Sequence, residues 1–146
     1  MKKLNLLLIG IFFLTAVQAQ QFTLVKDGKS SCRIVIPEMP NALEVHAAKV
    51  FQDYIQRISG ATLPIESDNI KPADGEILIG KVNREEMKDI PAEKLQEDGL
   101  YIKTTGKKLV IAGGTDRGVL YGVYTFLEKY MGCRKYSSAV TYVPKQ

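Results

Sequence analysis

The 146-residue chain has no tryptophan, one histidine and two cysteines. Each shortage removes a class of chemistry. A lone imidazole, His46, with Cys32 and Cys133 far apart in sequence, does not supply the ligands of a zinc site, and no His-Glu-x-x-His occurs. His46 also falls off the apolar stripe of its segment, which suits a solvated side chain. Ser137-Ser138 lacks a glycine elbow and has no spare histidine to act as base, so serine hydrolysis has no machinery here. Without tryptophan, the flattest platform for a sugar ring is missing. No motif calls for a cofactor.

Long apolar runs are also scarce. The one clear example, residues 4–14, follows Lys2 and Lys3 and precedes Val17-Gln18-Ala19. A transmembrane helix needs about 20 apolar residues. A basic start, a short apolar run and a small-residue site instead describe a cleavable export signal over residues 1–19. No cysteine follows the expected cut, which argues against a lipid anchor, so the expected destination is periplasmic or secreted. Cleavage removes two lysines and lowers the formal charge from +4 to +2. With no arginine stripe and no interleaved aromatics, neither nucleic acid nor, after cleavage, a membrane is an expected partner.

Residues 20–146 have the length of one domain with a real core. Two β-rich runs, 22–26 and 32–36, flank Asp27-Gly28 and predict neighbouring strands. Pro37 and Pro40 stop the second run, and Asn41 is a good helix cap. Leu43, Ala47, Val50, Phe51, Tyr54, Ile55 and Ile58 recur at helical spacing until Gly60, which predicts a helix over 41–59. Residues 63–66 read as a short strand whose Pro64 suits an edge or a strand start. Residues 76–79 are nearly all apolar and read as a central strand. Residues 81–98 are polar, contain Pro91, and read as a surface excursion with one helical turn. Residues 99–104 and 108–112 form the best hairpin signal, turning at Gly106.

The segment 109–134 carries the most information. An apolar strand, 109–112, runs into Gly113-Gly114-Thr115-Asp116-Arg117-Gly118 and then a helix. Thr115 or Asp116 suits the cap, Leu120, Val123, Tyr124, Leu127, Tyr130 and Met131 mark an apolar face, and Gly132 suits the stop. Gly118 and Gly122 leave one stripe bare, which fits close backbone packing. The turn matches neither the dinucleotide glycine spacing nor the P-loop, so it reads as a packing device and not a phosphate cradle. Short strands follow around Tyr136 and 140–143. The expected fold is α+β: a two-layer sandwich, a mixed and mostly antiparallel sheet with two long helices on one face.

Glu85-Glu86 and Glu97-Asp98 are adjacent acids. Glycoside hydrolysis needs carboxylates facing each other about 5–9.5 Å apart across a cleft, and adjacent loop acids read as solvated. Cys32 and Cys133 permit one disulfide in an exported protein, or are two small buried hydrophobes.

Residues 117–128, Arg-Gly-Val-Leu-Tyr-Gly-Val-Tyr-Thr-Phe-Leu-Glu, with Gly132-Cys133-Arg134 and Val143-Pro144-Lys145, carry a family likeness. Earlier matching pieces are 54–61, Leu63-Pro64-Ile65 and 77–80. The chain resembles the N-terminal domain before the catalytic barrel of bacterial α-glucuronidases, β-N-acetylhexosaminidases and related glycoside hydrolases. The resemblance implies a β-hexosaminidase domain 2-like sandwich packed on a (β/α)8 barrel that carries the catalytic carboxylates. It supplies no catalytic residue here, and it makes the barrel, with carbohydrate, the implied partner. Arg117, Arg134 and Tyr136 are the implied interface- or substrate-proximal residues. Where the family often has tryptophan after Gly-Cys-Arg, this chain has Lys135. The implied function is an exported non-catalytic accessory domain. The alternatives are a free-standing carbohydrate-binding or protein-interaction module, or a truncated gene product.

Overall fold

The computed structural model describes residues 22–91, 94–135 and 141–145. In chain order these form β1 (Arg33–Ile36), α1 (Ala42–Ser59), β2 (Ile65–Ser67), β3 (Glu76–Ile79), a 3-10 turn (Glu85–Asp89), β4 (Leu100–Thr105), β5 (Lys108–Gly113), α2 (Asp116–Lys129), β6 (Arg134–Lys135) and β7 (Thr141–Tyr142). The first five of the seven strands make one sheet in the order β2-β1-β3-β5-β4, and β6 and β7 make a separate two-stranded ribbon.

The α+β sandwich with a mixed sheet stands as expected. Strand direction does not: β1–β2, β1–β3 and β3–β5 are parallel, and only β4–β5 is antiparallel. The connections explain the correction. A long helix separates β1 from β2, and a helical crossover returns the chain in the same direction. Asp27 and Gly28 do form a tight turn, both with positive φ, at 51° and 70°. It joins only Lys26 and Lys29 through two backbone hydrogen bonds of 2.9 Å, and residues 22–25 form no strand. Phe22, Leu24 and Val25 instead lie against the core.

Helix α1 follows its sequence signals closely. Asn41 Oδ1 accepts from the backbone N–H groups of Leu43 and Glu44, while Glu44 Oε2 accepts from Asn41 N–H, a complete capping box. Glu44 is buried, and its other oxygen accepts from Lys81 N–H at 3.2 Å, tying the helix start to the end of β3. Gly60 ends the helix at φ 79°. Phe51 and Ile55 reach the core fully buried, and Phe51 meets Phe126 of α2 with ring centroids 5.5 Å apart.

Helix α2 is rotated from its expected face. Its buried residues are Gly118, Val119, Gly122, Val123, Phe126 and Leu127, whereas Tyr124 and Tyr130 are exposed. The two glycines set the rotation, because the side with the least bulk approaches the sheet most closely. Thr115 precedes the helix without a side-chain capping bond; its hydroxyl donates to the Glu97 carbonyl.

One face of the sheet, Ile34, Ile36, Ile77, Ile79, Leu109 and Ile111, packs under both helices. The other carries Val35, Leu78, Val110 and Ala112, with Tyr101 of β4 beside Ala112, and is covered by Val82, Met87 and Ile90. The segment read as a surface excursion is therefore half structural: it has the expected single turn, but that turn roofs the second face.

Candidate functional site

Each of the three parallel inner strands begins with a charge and continues with three apolar residues: Arg33-Ile-Val-Ile, Glu76-Ile-Leu-Ile and Lys108-Leu-Val-Ile. Parallel register places Arg33 beside Glu76, and Ile77 beside Leu109. The charges therefore stand in one row on the second face, positive, negative, positive. Glu76 has no exposed surface. Its carboxylate accepts from Arg33 Nη2 at 2.7 Å and from Arg84 Nε and Nη2 at 3.0 and 3.1 Å, with Lys108 Nζ at 3.3 Å. Burial alone pushes such a carboxyl upward. Here the hydrogen bonds from Arg84 and Arg33, with the charges of Arg84 and Lys108, outweigh it and hold Glu76 at about 2.

Arg84 also donates to the carbonyls of Asp68 and Ile70, and so pins the loop connecting β2 to β3 over the sheet. Both oxygens of Glu76 are taken, Oε1 by Arg33 and Arg84 and Oε2 by Arg84 and Lys108, while Arg33 Nε and the Oε2 of Glu86, which pairs with Lys108, have no hydrogen-bond partner among the described residues. The sequence alone presents Glu76 as the first residue of an apolar strand and Arg84 as part of a polar loop. The repeated charge-plus-three-apolar pattern was the signal available for the row.

Glu97 and Asp98 lie exposed in the turn before β4. With Leu43, Thr115, Asp116 and Arg117 they line a shallow depression of about 240 Å³ at the start of α2. Arg117 is exposed there. Arg134 lies beyond the other end of the helix, where Nη1 donates to the Glu128 and Cys133 carbonyls at 2.9 and 3.1 Å. Fourteen helical residues span about 21 Å, so the structure does not bring Arg117 and Arg134 together. Tyr136 lies outside the described residues.

Arg134 belongs instead to a groove of about 250 Å³ between the C-terminal halves of the two helices. Tyr54 and Tyr124 form its sides, with Leu127, Glu128, Cys133, Arg134 and Lys135. The Arg57 guanidinium sits 5.2 Å from the Tyr54 ring centroid. Tyr121 lies next along the outer side of α2, 40% exposed, with Tyr124 at 37%. On the ribbon, Tyr142 of β7 is directly opposite Arg134 of β6 and is 55% exposed. The apolar face expected for α2 includes Tyr124 and Tyr130, and the rotation of the helix leaves both exposed.

His46 is exposed on α1. Cys32 and Cys133 are buried and unbridged. Burial pushes both thiols up, Ser30 draws Cys32 partly back by a hydrogen bond, and the charges of Arg57 and Arg134 do the same for Cys133. Among the described residues no group of three or more His, Cys, Asp and Glu side chains is placed to hold a metal, and no helix is long and apolar enough to cross a membrane.

The family profile described as "Glycosyl hydrolase family 67 N-terminus" matches residues 19–126. The chain belongs to this family. A probable α-glucuronidase A of Neosartorya fischeri is 31% identical over 86 residues, covering 56% of this chain and 10% of that protein. Among solved structures, a family GH115 4-O-methyl-α-glucuronidase with specificity for decorated arabinogalactans superposes with a TM-score of 0.52 at 20% identity. That match covers 71% of this chain and 14% of the other, and at this identity it speaks for the fold. This chain thus spans about a tenth of the length of its curated relative. Both relatives are α-glucuronidases; the β-N-acetylhexosaminidase half of the resemblance has no counterpart between them.

Proposed function

We propose that this family 67 N-terminal domain is an exported, non-catalytic accessory domain that packs against the (β/α)8 catalytic barrel of an α-glucuronidase-type enzyme. One observation carries the reading: the two buried glutamates among the described residues, Glu44 and Glu76, are already committed to the fold. Glu76 is held by two guanidiniums and an ammonium, and Glu44 accepts backbone N–H groups at a helix start. The acids that face solvent, Glu97 and Asp98, are sequence neighbours on a turn and do not oppose each other across a cleft. Export rests on residues 1–19, whose basic start, apolar run and Val-Gln-Ala ending fit a cleaved signal.

The exposed rings of Tyr121, Tyr124 and Tyr142 favour a second reading, a free-standing sugar-binding module. Hydrolysis assays separate enzyme from accessory domain. The purified chain is expected to turn over no aryl α-glucuronide and no glucuronate-bearing xylo-oligosaccharide. Turnover that disappears in Glu97→Gln or Asp98→Asn would overturn the reading. N-terminal sequencing of the exported protein is expected to begin at Gln20; a retained Met1 in membrane-free material contradicts export.

A further inference from the structure

Aspartate followed by glycine occurs at Asp27-Gly28, Asp74-Gly75 and Asp98-Gly99. Such a pair can cyclise, because glycine carries no side chain to shield its backbone nitrogen from the neighbouring carboxyl. The reaction needs a carboxyl and a following N–H that are both uncommitted, and the structure separates the three pairs on that requirement. Asp74 pairs with Lys107 Nζ at 2.7 Å, and Gly75 N–H donates to the Lys107 carbonyl at 2.9 Å. Gly99 N–H donates to the Gln96 carbonyl at 2.8 Å. Asp27 and Gly28 are both exposed, and neither the Asp27 carboxyl nor the Gly28 N–H has a partner among the described residues.

The same pair sits under backbone strain. Among the described residues Asp27, at φ 51°, is the one residue other than glycine with positive φ, where Cβ crowds the following carbonyl. With Gly28 at 70° it makes the tip of a tight turn. Two hydrogen bonds between Lys26 and Lys29 close that turn, and no strand continues it. A turn held by so little opens locally far more easily than the core, so the ring can form while the domain stays folded.

The turn also fastens a strap, residues 22–31, over the core. Phe22, Leu24 and Val25 rest on the core before the turn. After it, Ser30 Oγ donates to the Leu24 carbonyl at 2.6 Å and accepts from Cys32 N–H at 3.0 Å. The buried Cys32 thiol donates to the Thr23 carbonyl at 3.5 Å. These bonds hold only if the chain returns from Leu24 to Ser30 in the length that the turn allows.

We propose that Asp27 converts spontaneously to isoaspartate, and that this conversion unfastens residues 22–31 from the core. The Gly28 nitrogen attacks Asp27 Cγ; its proton and the carboxyl hydroxyl leave as one water, closing a succinimide. Water then adds back to one of the two ring carbonyls. When the bond between the Gly28 nitrogen and the Asp27 main-chain carbonyl breaks, the chain runs through the side chain and gains a methylene. The net reaction consumes nothing. The lengthened backbone no longer fits the Lys26–Lys29 pairing or the Leu24–Ser30 bond.

The experiment is peptide mapping by mass spectrometry of the purified chain, fresh and after prolonged warm incubation at neutral pH in water labelled with heavy oxygen. Each ring opening writes a labelled oxygen into the residue, and electron-transfer fragmentation tells isoaspartate from aspartate. Asp27 is expected to carry label and isoaspartate in at least about fivefold excess over Asp74 or Asp98, the factor that one hydrogen bond of about 1 kcal/mol on the attacking N–H imposes. Asp27→Asn keeps a residue favoured at this turn and is expected to convert faster, releasing ammonia in place of water. In the converted chain Cys32 is expected to alkylate with iodoacetamide at least about fivefold faster than in the fresh chain, as loss of one strap hydrogen bond would give, while Cys133 keeps its rate. Label spread equally over the three aspartates, or absent from Asp27, overturns the site. An Asp27→Asn chain that resists conversion overturns it too, because ring closure would then be blocked at the turn. A converted chain whose Cys32 alkylates no faster than the fresh one overturns the unfastening.

Discussion

Replacing Glu76 by glutamine is expected to destabilise the protein by about 3–5 kcal/mol, the range for breaking a buried ion pair from one side. Glutamine keeps the size of the side chain but removes the charge that Arg33, Arg84 and Lys108 converge on. The Arg84 side chain is only 3% exposed, so its guanidinium cannot swing out to water without releasing the loop carbonyls of Asp68 and Ile70. The wild-type cluster also sets a pH dependence. The carboxyl of folded Glu76 lies near 2, below its ordinary 4.5. Its stabilisation is therefore complete above about pH 4.5 and is lost as pH falls towards 2. The full change is about 3 kcal/mol. Urea titrations at pH 7 and pH 3 check both statements: Glu76→Gln should be much weaker at pH 7, with the gap narrowing in acid. A variant as stable as wild type at pH 7 would show that the cluster contributes nothing net.

Gly118→Ala is the second large effect. A Cβ at Gly118 would overlap the Gly99 carbonyl oxygen and lie 3.1 Å from Gly113 Cα. Both are backbone atoms, so relief requires moving α2 away from the β4–β5 hairpin. Over-packing typically costs about 1–3 kcal/mol. The better helix propensity of alanine returns up to about 1 kcal/mol of that. A rigid backbone neighbour places this site at the costly end, about 2–3 kcal/mol net. Gly122→Ala is the internal control. Its Cβ would meet the Ile111 Cγ2 methyl at 2.8 Å, a single side-chain contact and not two backbone ones. Thermal melts should therefore rank Gly118→Ala well below Gly122→Ala. Equal melting temperatures would mean that the glycine stripe does not set the helix–sheet distance.

How far the fold was legible depends on the range of the interaction that fixes each piece. Helix α1 was readable because its determinants are local: Asn41 and Glu44 cap one end, Gly60 the other, and the stripe between has a single period. The β4–β5 hairpin was readable for the same reason, with Gly106 at positive φ between two paired runs. Strand direction elsewhere was not, because β1, β2 and β3 are paired across a helix and a long loop, and nothing near Ile65 or Ile77 specifies the neighbour. The α2 face was misjudged because glycine scores as an absence of hydrophobicity while Gly118 and Gly122 occupy the most buried stripe.

The candidate site was legible in proportion. Arg134 lines the groove, but Arg117 lies a helix length away, and the exposure of Tyr124 beside Arg134 follows from the face that Gly118 and Gly122 turn to the sheet. The charged row around Glu76 needed parallel register before its members could be seen as neighbours.

The central proposal is that this domain contributes packing and no chemistry to an α-glucuronidase-type enzyme. Steady-state kinetics test it most directly in a chimera in which this chain replaces the segment it matches in the Neosartorya fischeri α-glucuronidase, comparing the wild-type domain with a Glu97→Gln/Asp98→Asn/Asp116→Asn variant that neutralises the exposed acids at the start of α2. The account predicts kcat/KM within about twofold, since none of the three touches the reacting bond. A loss on the order of a hundredfold or more, the scale expected when a catalytic proton-transfer group is removed, would contradict it.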